Sequence, residues 1–287
     1  MRCRGGRRKL AGVSTLPASR RGRVAVALAA ALLCASPCWA QPGRAGGARW
    51  GIDWGDHHCT LARLPEAGAP AVFALWVIPG SPVLRVFVGA VDAAGARPPA
   101  TRAVLVPGGT TVDLRAMRSE GSELPLPTGQ ADIAFIGELE RATAIMLLRG
   151  RETLGQIPLP GARSAVAALR QCTEARLREW GVDPAALAAL RAPPRPVEGV
   201  SFVNDNDYPL TALSRGAAGR SIIRIAVDAG GRATDCTAVA TSGHEDLDRA
   251  ACRAILARAR FHPAIGADGR ATAAAAIRAV TWVLPSR

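Results

Sequence analysis

Isoleucine and valine occupy every second position from 223 to 227, and the positions between them hold arginine and alanine. This period of two is typical of a strand with one buried face. Gly230 and Gly231 predict a hairpin turn because glycine tolerates positive φ. A return strand is predicted over 233–240, although its side chains are small where a valine-rich strand would be expected.

A helical period replaces the strand period after Ser242-Gly243, which breaks the return strand. Asp246 is predicted to cap a helix from Leu247 to about Arg260. The apolar positions of this helix form one narrow stripe: Leu247, Ala250, Ala251, Ala254 and Ile255. Pro263 ends the helix, and a final strand is predicted from Ile277 to Leu284. The pattern therefore predicts an antiparallel β-β-α-β unit, with one helix across a small sheet.

Five short motifs occur in order within this segment. They are Tyr208-Pro209, Val227-Asp228 with Gly231, Thr241-Ser242-Gly243-His244, Leu247-Asp248 with Ala251, and Phe261-His262-Pro263-Ala264. In this order and at this compact spacing they resemble the TonB C-terminal domain, the module by which energy-transducing periplasmic proteins hold outer-membrane receptors. The resemblance covers roughly the last 80 of the 287 residues.

The resemblance implies a binding function. In the family, an extended receptor segment pairs with the final strand, so main-chain hydrogen bonds provide most of the attachment. The implied partner is a short extended segment of an outer-membrane TonB-dependent receptor, and no cofactor is implied. Carried over by position, the partner-binding residues are Tyr208, Pro209, Ile277, Arg278, Val280 and Trp282. For Trp282, packing in the core is the alternative role.

A separate β-rich domain is predicted over residues 50–190. Its strand-like runs are Ala71 to Ile78, Val83 to Val91, Ala103 to Val106, Ile133 to Ile136 and Ala144 to Leu148. Strands at a spacing of roughly ten residues favour an antiparallel sandwich or barrel. A helix from Ser164 to Trp180 ends this domain, and Trp76 and Trp180 are predicted to lie in its core. With the small TonB-like domain over 201–287, the predicted fold class is α+β.

The first 40 residues are predicted to be a signal peptide. Eight basic residues and no acidic ones precede position 24, an apolar run of ten follows at 24–33, and Cys38-Trp39-Ala40 offers a cleavage site. That run is shorter than the about 20 residues that a spanning helix needs. Cleavage after Ala40 and a periplasmic location are therefore expected, with an uncleaved inner-membrane anchor as the alternative. Residues 41–49 are Gly-rich and predicted to be disordered.

A Pro-rich linker is predicted at 191–200, where Ala192-Pro193-Pro194-Arg195-Pro196 favours a stiff, extended chain. A TonB-type transducer usually has a long Pro-rich spacer and a membrane helix with a polar, histidine-containing motif for its motor proteins. Here the spacer is short, and the apolar run 24–33 has no polar residue. Two functions stay open. A retained N-terminus favours a transducer with inner-membrane motor partners, and a cleaved one favours an exported envelope adaptor without energy transduction.

Charge and motifs disfavour several other classes of protein. The net charge of +13 falls to +5 without the leader, and no basic cluster is interleaved with aromatic residues, so nucleic-acid binding is not predicted. The sequence contains no G-x-S-x-G elbow, phosphate loop or paired-carboxylate arrangement, so an enzyme is not predicted. Asp56-His57-His58-Cys59 suggests a metal cluster, but no partner cluster with zinc-ligand spacing follows it. A disulfide cysteine beside two surface histidines is favoured instead.

Four of the seven cysteines lie outside the leader, an even number in an oxidising compartment, which predicts two disulfides. Three pairings are possible, and locality favours Cys236–Cys252 together with Cys59–Cys172. Free buried thiols are the alternative. A bridge between Cys236 and Cys252 would join the second predicted strand to the helix, where small residues leave the core thin.

Overall fold

The computed structural model describes residues 49–64, 71–90, 100–117 and 126–284, all within one compact unit, Gln41–Arg287. The predicted signal peptide and its cleavage site lie outside the described residues. So does all of the segment 41–49 except Arg49, which begins a strand. Among the described helices, none is long and apolar enough to cross a membrane.

Antiparallel strands build the N-terminal part of this unit, which we name the first domain after the prediction. Its elements are β1 (Arg49–Trp54), β2 (Cys59–Leu64), β3 (Ala71–Val77), β4 (Val83–Ala90), β5 (Arg102–Val106), β6 (Thr111–Asp113), β7 (Arg115–Met117), β8 (Leu126–Asp132), α1 (Phe135–Leu139), β9 (Ala144–Arg149), β10 (Glu152–Pro158) and α2 (Ala162–Glu179). One sheet has the order β1-β2-β3-β4-β8-β7, and the other has the order β10-β9-β5-β6.

Both sheets and helix α2 contribute to one core. Phe73 and Leu75 come from β3, and Leu105 and Ile145 come from β5 and β9. Leu169 is contributed by α2, and all five side chains are fully buried. The strand-rich α+β class is therefore confirmed, while closure of the first domain as a sandwich or barrel stays a prediction.

Residues 133–136 do not form the predicted strand. The backbone N–H of Ala134 donates to the Asp132 carboxylate at 2.9 Å, and the chain turns into α1 instead. The buried residues of this helix lie at helical spacing: Phe135, Ile136 and Leu139. A short apolar run can form the buried face of a helix or a buried strand. Its period therefore does not distinguish a helix from a strand.

The C-terminal part of the unit, which we name the second domain after the same prediction, follows a short helix, α3 (Pro184–Ala188). Its elements are β11 (Arg195–Pro196), a 3-10 turn (Asp205–Asp207), α4 (Leu210–Ser214), β12 (Gly219–Val227), β13 (Ala233–Ala240), α5 (Glu245–Arg258), β14 (Phe261–His262), β15 (Ala264–Ile265), β16 (Ala271–Thr272) and β17 (Ala274–Trp282). Strand β12 pairs antiparallel with both β13 and β17, and α5 packs on one face of this sheet. The predicted β-β-α-β unit is confirmed.

The N-terminus of α5 differs from the prediction. His244 occupies the N-cap position, and its side chain makes no capping hydrogen bond. Asp246 lies inside the first turn and forms an ion pair with Arg215 at 3.0 Å. The prediction that Asp246 is the cap is therefore wrong. Its carboxylate, like those of Glu245 and Asp248, is still placed where negative charge stabilises a helix N-terminus.

The segment predicted as a linker is extended and is hydrogen-bonded to the second domain. Strand β11 pairs with β14, and the backbone N–H of Arg191 donates to the carbonyl of Ile265 at 2.8 Å. Val197 donates to the carbonyl of Arg260 at 2.9 Å. These bonds fix the chain between the two predicted domains along the edge of the second one.

The first domain also covers the sheet face that α5 leaves open. Ile222 and Ile277 project from this face and are buried against Leu177, Trp180 and Val182, which come from the end of α2 and the residues after it. Part of the second face of the three-stranded sheet, at Ile222 and Ile277, is therefore buried as well. Trp180 is a core residue, as predicted, but the core to which it belongs is this interface.

Both disulfides favoured from the sequence are present. Cys59 and Cys172 join β2 to α2 with a Cα–Cα distance of 6.2 Å. Cys236 and Cys252 join β13 to α5 with a Cα–Cα distance of 5.5 Å. Each bridge therefore attaches a helix to the sheet on which it packs.

Candidate functional site

Strand β17 has one free edge. It pairs with β12 from Gly219 opposite Trp282 to Val227 opposite Ala274. In the strand order β13-β12-β17 its other side has no partner among the described strands. Such an edge presents unpaired N–H and C=O groups that can pair with another extended chain.

The register of β12 and β17 assigns the edge residues to two faces. Arg220 lies opposite Thr281, on the face that meets the first domain, and Arg220 Nε donates to Thr281 Oγ1 at 3.0 Å. Arg278 and Val280 point to the other face, where α5 packs. A strand added to β17 would therefore meet different side chains on its two faces.

A cleft of about 570 Å³ lies beside β17, and every residue from Ile277 to Val283 lines it. The first domain contributes residues of β3, β4 and β8, among them Trp76 and Arg85. The segment from Val200 to Tyr208 contributes on the side of the second domain. This volume falls in the range of sites that hold small ligands or short peptides.

Trp76 is the centre of a contact between the two domains. The guanidinium carbon of Arg220 lies 4.6 Å from the Trp76 ring centroid, and that of Arg85 lies 5.8 Å from it. His58 packs on the same ring, with the ring centroids 4.9 Å apart. Burial lowers the pKa of His58, although the carboxylate of Asp53 opposes this shift. Trp76 is only partly buried, so the prediction that it is a core residue is wrong.

Positive charge dominates the cleft. Arg85, Arg220 and Arg278 line it, whereas Asp205 is the acidic residue in the described lining. None of the three arginines forms an ion pair with any residue that the structure describes. Burial lowers the pKa of the Arg220 and Arg278 guanidinium groups, and the charge of Arg85 adds to the effect on Arg220. Burial of a cation that forms no ion pair costs free energy, which a bound anionic group would offset.

The structure brings five of the six predicted partner-binding residues to this cleft: Tyr208, Ile277, Arg278, Val280 and Trp282. The ring of Tyr208 meets that of Trp282 edge-on, with centroids 5.0 Å apart, and the Tyr208 hydroxyl donates to the carbonyl of Ala217. Trp282 is 4% exposed, and its indole N–H has no partner among the described residues. Pro209 does not line the cleft and occupies the N-cap position of α4.

Asp248 holds the turn before α5 in place. Its carboxylate accepts hydrogen bonds from the Ser221 hydroxyl, from Thr241 Oγ1 at 2.6 Å and from the backbone N–H of Ser242 at 3.0 Å. Burial alone would raise the pKa of Asp248, but these bonds outweigh it and the pKa lies below its ordinary range. The Thr-Ser-Gly and Leu-Asp motifs therefore form one structural unit beside the paired strands.

Three residues of the segment Asp56-His57-His58-Cys59 make contacts that stabilise the fold. Cys59 is in a disulfide, His58 packs on Trp76, and His57 Nε2 lies 3.2 Å from the carbonyl oxygen of Thr241. Within the described ranges, no group of three or more histidine, cysteine or acidic residues is arranged to hold a metal ion.

Among the lining residues that were not predicted as site residues are Trp76, Arg85 and Arg220. Trp76 is predicted to lie in the core, and neither arginine belongs to one of the five motifs. Trp76 and Arg85 are cross-strand neighbours, which alternation in β3 and β4 could have suggested. Their meeting with Arg220 depends on the packing of the two domains, for which no local pattern in the sequence gives a signal.

The second domain is a three-stranded sheet with one packed helix and with β17 at its edge. Residues 204–284 match the family described as the Gram-negative bacterial TonB protein C-terminal. The chain therefore carries a TonB C-terminal domain, a domain of envelope energy transducers, at its C-terminal end. The match covers less than a third of the chain, and the β-rich first domain lies outside it. No curated protein matches the chain.

Proposed function

We propose that this periplasmic protein binds an extended segment of an outer-membrane TonB-dependent receptor by pairing it with the free edge of β17. The observation that carries the proposal is that this unpaired edge opens to a cleft lined by Ile277 to Val283. Main-chain hydrogen bonds would supply the attachment, and the two walls of the cleft would supply specificity. The activity is binding, and it requires no cofactor.

The test uses receptor segments with altered backbones. Peptides of about eight residues from TonB-dependent receptors of the same organism are titrated against the protein by fluorescence anisotropy. N-methylation of alternate residues removes the peptide's own donors and leaves the protein unchanged. One alternate set faces β17, so its methylation should abolish binding. The other set faces away and should leave affinity unchanged, which makes it the matched control.

Equal sensitivity of the two sets would contradict strand pairing. The absence of binding for every receptor peptide would contradict receptor recognition as a whole. Proline at Thr281 or at Val280 gives a second test on the protein side, because proline removes one main-chain donor. The N–H groups of adjacent residues point to opposite sides of the strand, so one of the two bonds to β12 and the other points to the cleft. Circular dichroism shows which variant stays folded, and that variant is the one whose N–H pointed to the cleft.

An envelope adaptor is the second candidate function. It is favoured by the docking of the first domain on the sheet and by the pairing of β11 with β14, since a transducer needs a chain that reaches between membranes. Mass spectrometry of the mature protein separates the two. A chain that starts at Gln41 supports the adaptor, and a chain that starts at Met1 and needs detergent for extraction supports a transducer with motor partners.

A further inference from the structure

Two arginines from different domains meet at Trp76 beside the free edge of β17. Arg85 is the cross-strand neighbour of Trp76 in the first domain. Arg220 comes from β12 of the second domain, and its hydrogen bond to Thr281 carries the guanidinium group across β17 toward the cleft. Contact with the Trp76 ring stabilises this position through a cation–π interaction. The first domain therefore helps to place a cation at the edge.

Neither of these two arginines has an acidic partner within ion-pair distance in the described part of the chain. Burial lowers the pKa of Arg220, and Arg85 is close enough for its charge to lower it further. Two guanidinium groups that approach each other without a counter-ion repel. A carboxylate between them would remove the repulsion and accept charge-assisted hydrogen bonds from both.

A second cation lies on the opposite face of the same strand. Arg278 is opposite Ile223 in the register, and its guanidinium carbon lies 5.9 Å from the ring centroid of Phe202. Arg278 and Thr281 are three positions apart in β17 and point to opposite faces. A strand paired with β17 sends alternate side chains to the same two faces. Residues three positions apart in that strand would therefore reach Arg278 and Arg220.

We infer that the cleft selects an extended segment of a partner protein with two acidic side chains three positions apart. One carboxylate pairs with Arg220 and Arg85, and the other pairs with Arg278. This inference rests on the proposed strand pairing at β17, which fixes where the backbone of the partner runs. The first domain is then a specificity element, because it supplies Trp76 and Arg85 to one of the two subsites.

The test uses four blocked eight-residue peptides of threonine and valine. One has glutamate at the third and sixth positions, two have glutamate at only one of these positions and glutamine at the other, and the last has glutamine at both. We expect the doubly acidic peptide to bind about tenfold or more tightly than the glutamine peptide, because each carboxylate gains charge-assisted hydrogen bonds. Anisotropy titrations at two salt concentrations should show that this advantage shrinks as salt rises.

Two protein variants separate the subsites. Arg220→Gln should remove the preference for glutamate at one position only, and Arg278→Gln should remove it at the other. Arg85→Gln and Trp76→Ala should weaken the same preference as Arg220→Gln, because they act on the same subsite. Arg253→Gln is the matched control, since Arg253 is an exposed arginine of α5 outside this cleft and its loss changes the net charge equally. Thermal melting of each variant checks that the fold is intact.

The outcomes are separable from those of the proposed function. Equal affinity for the acidic and glutamine peptides would overturn the inference and leave strand pairing in place. A preference for glutamate that persists in both arginine variants would overturn the assignment of the subsites. If none of the peptides bound, the inference would fail, and the receptor peptides with alternate N-methylation would decide on strand pairing. Self-association in analytical ultracentrifugation in place of peptide binding would assign the cleft to a second copy of the chain, against the inference.

Discussion

Gly80 of the first domain is in close contact with Ile277 of the last strand: a Cβ atom at Gly80 would lie 2.8 Å from Cγ1 of Ile277 and 3.2 Å from Cδ2 of Leu177. The backbone of Gly80 has a φ of +79°, in the left-handed region. The absence of a side chain therefore serves two needs at this position. It permits the turn between β3 and β4, and it lets the sheet of the second domain approach the first domain.

Replacement of Gly80 by alanine should lower the free energy of unfolding by about 1–3 kcal/mol for the clash, beyond the cost of the left-handed backbone. Gly109→Ala is the matched control, because Gly109 has a φ of +74° and no heavy atom within 4 Å of an added Cβ. Urea denaturation of the two variants isolates the contribution of the contact. Equal losses in both would mean that the domains do not depend on this approach.

Asp248→Ala should destabilise the second domain by about 1.5–3 kcal/mol, because it leaves the buried Ser221 hydroxyl, Thr241 and the N–H of Ser242 without their acceptor. Chemical denaturation measures the loss. The exposed Asp235, whose ion pair with Arg224 spans 3.9 Å, provides the comparison, and Asp235→Ala should change stability little. A comparable effect of the two substitutions would argue against a special role for Asp248.

Serine in place of both Cys236 and Cys252 should cost about 2–4 kcal/mol, because the bridge closes a short loop in the unfolded chain. The same change at Cys59 and Cys172 should cost more, about 4–5 kcal/mol, since their separation of 113 residues closes a longer loop. Denaturation of the two double variants under identical conditions tests the order. The reverse order would show that loop entropy does not govern these bridges.

Stability should fall as the pH is lowered below about 6.5, the ordinary pKa of histidine. Burial lowers the pKa of His58 in the folded state, Asp53 opposes this, and the charges of His57, Arg220 and Arg176 add to the lowering. The unfolded chain therefore binds a proton that the folded state disfavours. The contribution of His58 is complete above about pH 6.5 and decreases as the pH falls toward its folded pKa.

Urea denaturation at pH 7.5 and 5.5 measures this dependence. His58→Gln should show a smaller difference between the two pH values than the parent protein. His262→Gln, which removes an exposed histidine of β14, is the matched control. An unchanged difference in His58→Gln would assign the acid sensitivity to other groups.

Periodicity was sufficient to predict the small domain and insufficient to predict what covers it. Ile223, Ile225 and Val227 alternate and face α5, so the strand and its inner face follow from the sequence. Ile222 is equally buried, although an alternating strand with one buried face would expose it. The reason is that Trp180, from another domain, packs against Ile222 on the second face. A period of two within one strand does not predict which distant part of the chain packs on that strand.

The same limit applied to the candidate site. Family motifs led to β17 and to Tyr208 and Trp282, and the structure places these two rings in contact, because that contact depends on the local fold of one domain. The subsite at Trp76 arises only when Arg220 is brought to it by the packing of the two domains. Residues 133–136 illustrate the local version of the problem, since four apolar-rich residues fit a strand or a helix equally well.

The disulfide between β2 and α2 has a mechanical consequence. A pull applied to the N-terminal side of the chain would load the backbone up to Cys59, cross the sulfur–sulfur bond and continue from Cys172 into α2. The cysteines are 113 residues apart in sequence, and the chain between them would bear no axial load. This segment could span roughly 370 Å if fully extended, and the disulfide prevents that extension. While the bridge is intact, the first domain behaves under tension as a link of nearly constant length, and a pull would act directly on its junction with the second domain.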